Sequence, residues 1–224
     1  MLGHEGTKER IVDTAIELFN DRGTRPVSTN HIAEAMGISP GNLYYHFSNK
    51  EEIIRAIYER AIADYDDFLS EVVNVTPDPV TTLGLFDGIF AHQWKYRFLQ
   101  REFPALVRQD EQLCARYREM QDRRIGFYRL LGRHWIETGS LHPMSEEELG
   151  DLVTAIWLVG DTWLSYLEAM GRGADEDELR RGSRLIYALL RPHLTTSAAE
   201  AFQANGWGPP TDVSGRRTRT TESA

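Results

Sequence analysis

The stretch from Ile38 to Glu51, ISPGNLYYHFSNKE, gathers side chains suited to recognition: Asn42, Tyr44, Tyr45 and His46 in one short segment, with Lys50 just beyond. An asparagine amide can pair bidentately with adenine, a tyrosine hydroxyl can bond a phosphate oxygen, and an ammonium group can neutralise one. Catalytic chemistry has no comparable signature. No nucleophile, paired-carboxylate site or phosphate loop stands out, and none of the seven histidines has a partner at i+4 or a neighbouring cysteine cluster, so neither a metal nor another cofactor is expected.

These residues must be held by helices. Ser39 is a good N-cap and Pro40 suits the first helical position, where a missing N–H costs nothing. Leu43 and Phe47, four apart, must be the buried face, which leaves Asn42, Tyr44, Tyr45 and His46 on the sides and outer face. Upstream, Ile32, Ala33 and Met36 give the inner side of a helix running from N-cap Ser28 to Gly37. Before it, Ile11, Val12, Ala15, Ile16 and Phe19 line one face of a first helix near 8–22, which Thr7 can cap and Gly23 can end. Two short helices joined by Gly37-Ile38-Ser39 form a helix-turn-helix unit, whose second helix enters the major groove.

Ser48 or Asn49, followed by Glu51 or Glu52, is a capping-box signature for a fourth helix. Helical periodicity then persists for about 25 residues, a length of roughly 35 Å, up to Thr76-Pro77-Asp78-Pro79. Further helices are expected near 79–103, 104–109, 110–138, 145–170 and 175–193, with no alternating segment that would make a strand. The fold class is therefore all-α. The helix near 145–170 is apolar on most sides, and the next carries Gly182 and Ser183 at positions that permit close approach of another helix. Two readings fit this pair: half of a dimer interface, or burial within a monomeric bundle. Residues 195–224 suggest a short helix, TSAAEAFQAN, and a disordered tail with Arg216, Arg217 and Arg219. The expected division is 1–50, 51–194 and 195–224.

The 224 residues, 41% hydrophobic and 26% charged, describe a folded globular chain. No apolar run approaches the roughly 20 residues of a membrane span, no hydrophobic leader opens the sequence, and Cys114 has no cysteine to pair with, so a cytoplasmic protein is expected. A formal net charge of -9 argues against nucleic acid at first sight. Locally it does not: residues 1–50 hold five basic side chains against six acidic ones, so the acidity lies mainly downstream.

The segment from Val27 to Glu52, VSTNHIAEAMGISPGNLYYHFSNKEE, resembles the DNA-binding signature of the tetracycline-repressor (TetR) family of bacterial transcriptional regulators. Ile32-Ala33, Gly37-Ile38-Ser39, Gly41, Leu43-Tyr44, His46-Phe47 and Lys50-Glu51 carry the match, which covers roughly residues 8–60. The resemblance implies that Thr29, Asn30, Ser39, Pro40, Asn42, Tyr44, Tyr45 and His46 lie at the groove, and that Lys50 meets a phosphate at the start of the fourth helix. Tyr45 and His46 have a rival role in packing against neighbouring helices. Two positions depart from the pattern: Thr24-Arg25-Pro26 follows Gly23 where many members have an aromatic residue, and Pro40 stands at a position that is often polar.

The resemblance also implies a homodimer on a near-palindromic double-stranded DNA operator, released by a small-molecule effector. Phe86, Phe90, Trp94 and Phe98, then Tyr117, Met120, Phe127 and Trp135, then Trp157 and Trp163, interleave with polar residues as the lining of a fairly hydrophobic pocket would. Asp161, His92, His134 and Gln93 are the polar candidates for orienting the effector. Two rival functions stand beside this one: a helix-turn-helix regulator whose second domain binds a protein, and an all-helical enzyme using His134, Glu137 or Asp161.

Overall fold

A computed structural model describes residues 2–73 and 78–207. Among them are ten α-helices: α1 Leu2–Arg22, α2 Thr29–Met36, α3 Pro40–His46, α4 Lys50–Val73, α5 Pro79–Lys95, α6 Arg97–Gln109, α7 Glu111–Glu137, α8 Glu146–Ala169, α9 Glu176–Leu190 and α10 Thr196–Ala204. The described residues form no strand, only one antiparallel bridge between Leu141 and Leu194. The fold is all-α. The Thr76-Pro77 punctuation and the Arg216, Arg217 and Arg219 cluster lie outside the described residues.

Capping chemistry sets most helix starts. The Ser39 hydroxyl accepts the Asn42 N–H, and Pro40 occupies the first turn of α3. Ser145 and Glu148 form a reciprocal capping box on α8, and Asp110 and Asp175 cap α7 and α9. Asn49 accepts the Glu52 N–H at the start of α4, while the Glu52 carboxylate accepts from the Ser48 N–H. Gly37 closes α2 with φ +67°, a left-handed conformation that a β-carbon disfavours, and the chain turns there towards α3.

Some boundaries differ from the sequence expectations. α1 starts at Leu2, so Thr7 lies inside it; the helix continues through Gly3 and Gly6, which weaken a helix without stopping it. The 3-10 turn Arg191–His193 follows α9 because Pro192 has no N–H for another α-helical bond. The largest difference concerns α5 and α6. Their break falls at Tyr96, not at Pro104, which lies inside α6. The Asn20 side chain of α1 stabilises the break, donating to the Lys95 carbonyl at 2.9 Å and accepting from the Phe98 N–H at 3.1 Å. At Pro104 the helix survives because the Gln100 carbonyl, left without its usual partner four residues on, accepts the Ser165 hydroxyl of α8 at 2.9 Å.

Two hydrophobic clusters result. The first joins α1 to α4 with Tyr96, Phe98, Leu99 and Leu106 of the α5–α6 region and Leu113 of α7. The second is built mainly from α5, α7, α8, α9 and Phe202 of α10. Gly182 lets α9 pack against both α5 and α8, since a Cβ there would come within 2.7 Å of Phe90 and Trp163. The small residues of α9 thus serve contacts inside one chain. α8 is less enclosed than its composition suggests: it buries Leu149, Leu152, Val153, Trp163, Leu164 and Leu167 but leaves Leu158 and Tyr166 more than half exposed.

Candidate DNA-reading face and internal cavity

Leu43 and Phe47 anchor α3 in the first cluster, against Ile11, Ile32, Ile54 and their neighbours. The outer surface of α3 then presents Pro40, Asn42, Tyr44 and Tyr45 to solvent, with Tyr44 51% and Tyr45 69% exposed. Tyr45 is therefore turned away from the core, and the packing role considered for it does not hold. His46 is half-buried and meets the Tyr45 ring edge-on at 5.2 Å. Thr29, at the start of α2, lies 3.1 Å from the Tyr44 hydroxyl through its Oγ1, so the two helices bring these oxygens to one place. Asn30 is exposed beside Thr29, and the exposed Ser39 keeps its hydroxyl proton while accepting at the helix cap.

Lys50 opens α4, as expected, and also fastens a loop. Its ammonium group donates to the Thr24 carbonyl at 2.7 Å and to the Val27 carbonyl at 3.0 Å, fastening the loop between α1 and α2. These bonds direct the ammonium group towards the loop backbone, so a phosphate contact by Lys50 would compete with them. The departure at Thr24 belongs to the same device. Thr24 is buried, and its N–H donates to both Glu102 carboxylate oxygens at 3.1 Å, so α6 holds the loop from the other side. Arg101 of α6 adds a bond to the Phe19 carbonyl at 2.9 Å and an ion pair with Glu168 of α8 at 2.8 Å.

A cavity of about 540 Å³ lies between α4, α5, α6, α7 and α8. Its lining includes Tyr58, Tyr65, His92, Gln93, Arg101, Met120, Gln121, Arg124 and Asp161. A smaller apolar chamber of about 60 Å³, lined by Phe86, Trp135, Leu152 and Trp157 among others, adjoins it and shares Tyr65, Gln93 and Asp161. Burial pushes the Asp161 carboxyl up, an effect that the Arg124 guanidinium partly offsets. Burial also holds His92 below its ordinary value and so favours the neutral ring, although a hydrogen bond to the Ala61 carbonyl acts the other way.

The expected pocket residues divide. Met120, Trp135, Trp157 and Asp161 line one or both chambers, as do Gln93 and His92. Phe98 does not: it is fully buried in the first cluster and tilted against Phe19, because the break at Tyr96 moves it onto α6. Phe90 is fully buried in the second cluster, and Trp94 sits at that cluster's edge with the Arg97 guanidinium 5.1 Å from its ring. Phe127 packs against Tyr128, and His134 is exposed. None of these five lines either chamber.

Sequence reasoning missed Arg124, Gln121, Tyr58 and Tyr65. A signal existed on α7: Tyr117, Met120, Gln121, Arg124 and Tyr128 fall at i, i+3, i+4, i+7 and i+11, a single helical face. The surrounding Arg and Glu residues made Arg124 look like one more solvated charge.

This arrangement defines a helix-turn-helix DNA-binding regulator joined to a larger helical region. Residues 11–57 match the family profile of bacterial regulatory proteins of the tetR family, and residues 63–202 match that of the TetR bacterial transcriptional repressors. The chain belongs to the TetR family of transcriptional regulators and is not an enzyme. It is 26% identical over 194 residues to IcaR of Staphylococcus aureus, the negative transcriptional regulator of the biofilm operon icaADBC, covering 82% of this chain and 96% of that protein. The match to the Staphylococcus epidermidis IcaR is 39% identical but confined to 62 residues, 34% of that protein. The crystal structure of a TetR-family regulator from Marinobacter aquaeolei VT8 superimposes with a TM-score of 0.74 at 31% identity, covering 91% of this chain and 99% of that one. Among the described residues no helix is long and apolar enough to cross a membrane.

Proposed function

We propose that this chain is a ligand-responsive repressor that acts in the cytoplasm as a homodimer on a near-palindromic operator. The observation that carries the reading is the outer face of α3, where Asn42, Tyr44 and Tyr45 meet solvent beside Thr29 while Leu43 and Phe47 fix the helix behind them. Asn42 reads a base edge, most favourably adenine. Thr29, Tyr44 and Ser39 bond phosphate oxygens, Asn30 reaches a base edge or sugar, and Tyr45 contacts the groove wall. Pro40 offers apolar contact to a thymine methyl.

Dimerisation uses the outward faces of α8 and α9. Leu158, Tyr166 and Met170 on and beside α8 are each more than half exposed, and Leu185 of α9 is 39% exposed, a set of apolar side chains that a second copy would cover. The pairing sets the two α3 helices about 34 Å apart, one turn of DNA. The working division is a reading unit over 1–50, with effector binding and pairing over 51–194.

Release follows from the position of α6. One side of this helix lines the cavity through Arg101, Phe103 and Pro104, while Glu102 and Arg101 hold the α1–α2 region. An effector that favours a different setting of α6 shifts the spacing of the α3 helices by its differential affinity for the two states. The cavity favours a small molecule over a protein as the second-domain partner. IcaR, a negative regulator, supports repression as the sign. Transcription in vitro from a template bearing the selected operator tests the whole reading: transcript should fall when protein is added and recover with effector. A rise on adding protein would make it an activator.

A further inference from the structure

Three side chains that line the 540 Å³ cavity, Gln93, Gln121 and Arg124, each carry a buried atom that finds no hydrogen-bond partner among the described residues: Oε1, Oε1 and Nε. Each such atom costs free energy unless something meets it, so a cluster of them around one empty volume points to an occupant. Their chemistry describes that occupant. Two amide oxygens ask for donors, and the guanidinium N–H asks for an acceptor. Asp161 faces the same space, with Arg124 as the charged group that acts on it, yet no ion pair joins the two.

The balance of charge restricts the occupant further. Arg124 lies over the Tyr65 ring, its guanidinium carbon 3.9 Å from the centroid, and is thus held in place by an aromatic face rather than by a carboxylate. Arg101, the other arginine of the lining, is already paired with Glu168 and Glu102. His92 is held towards its neutral form. One cation and one carboxyl therefore face the space, and an occupant with a net charge of either sign would leave one of them opposed. Leu99, Phe103 and Val107 of α6 make an apolar part of the lining.

From this geometry we infer that the effector is an uncharged amphipathic molecule, whose head carries both a carbonyl acceptor for Arg124 and a hydroxyl or amide donor for Gln93 and Gln121, and whose apolar body lies against α6. The inference rests on the effector-binding reading above and names the ligand class for that site.

Calorimetry on the full chain tests it with three probes built on one ten-carbon chain, the carbonyl carbon counted: decanoyl ethanolamide, decanoate and decyltrimethylammonium, each below its micellar concentration. The ethanolamide should bind on the order of 10-fold more tightly than either ion, the scale of one or two hydrogen bonds. Arg124→Met and Gln93→Leu should bring that ratio to about one, while the melting temperature of the unliganded protein stays level or rises. Tightest binding by decanoate or by the ammonium probe, equal binding by all three, or binding by none would each overturn the inference. So would a fall in melting temperature with the ratio unchanged, since the atoms would then be structural. Operator binding measured on the same preparations separates this failure from that of the regulator reading: a chain that binds operator but no probe loses only the ligand class, and one that binds no operator loses the regulator reading.

Discussion

The two ends of this molecule treat polar groups in opposite ways. Around the helix-turn-helix, buried donors and acceptors are paired across elements: Lys50 with the Thr24 and Val27 carbonyls, Glu102 with the Thr24 N–H, Asn20 with both sides of the α5–α6 break. Around the cavity, Gln93, Gln121 and Arg124 each keep a buried atom without a partner. A reading head must hold a fixed shape to meet DNA in one register, and these bonds between elements hold it while the outer side chains stay exposed. Under the proposed function the cavity would gain on binding an effector, because its unmet polar atoms would then find partners.

Four substitutions test the contrast, from the largest expected effect to the smallest. Leu43→Ala removes a fully buried anchor of α3 and should cost about 2–5 kcal/mol by chemical denaturation, with loss of operator binding. A cost below about 1 kcal/mol would mean that α3 is not held by that contact. Lys50→Met leaves two loop carbonyls without their donor and should cost about 1–3 kcal/mol. The slope of operator affinity against salt should stay the same; a decrease of about one unit would restore Lys50 to phosphate binding.

Asp161→Asn should have the opposite sign. Burial raises the Asp161 carboxyl above its ordinary value of 3.8, so the folded chain holds that proton more tightly than the unfolded chain. Stability is therefore lost as pH rises through the ordinary carboxylate value towards the raised one. The asparagine variant avoids this loss: it should melt higher than the parent at neutral pH, with the gain fading as pH falls through the ordinary value. A gain that persists in acid would point to another cause. Tyr45→Ala should change stability by no more than about 0.5 kcal/mol, because the side chain is exposed, while operator affinity falls. Unchanged affinity would remove Tyr45 from the reading face.

The same contrast explains what could be read from the sequence. Capping signals and helical periods are local, so Ser28, Gly37, Ser39, Leu43 and Asn49 announced their helices, and the DNA-reading surface followed as what those helices left outside. Residues that bridge distant segments gave no such signal. Lys50 at a helix start reads as a phosphate ligand, and nothing local announces that its ammonium group also holds the Thr24 and Val27 carbonyls. Pro104 looks like a helix break until Ser165 is found on the carbonyl it frees. Phe90 and Phe98 look like pocket walls, yet one lies in each core, because aromatic composition does not distinguish a cavity from the packing around it.

The central claim is that two copies of this chain use α3 to read a repeated DNA site. Selection of bound duplexes from random sequence, followed by sedimentation of the protein on the selected site, tests it most directly. The account predicts an inverted repeat with half-site centres about one helical turn apart, occupied by two chains. A single unrepeated half-site bound by one chain would contradict it.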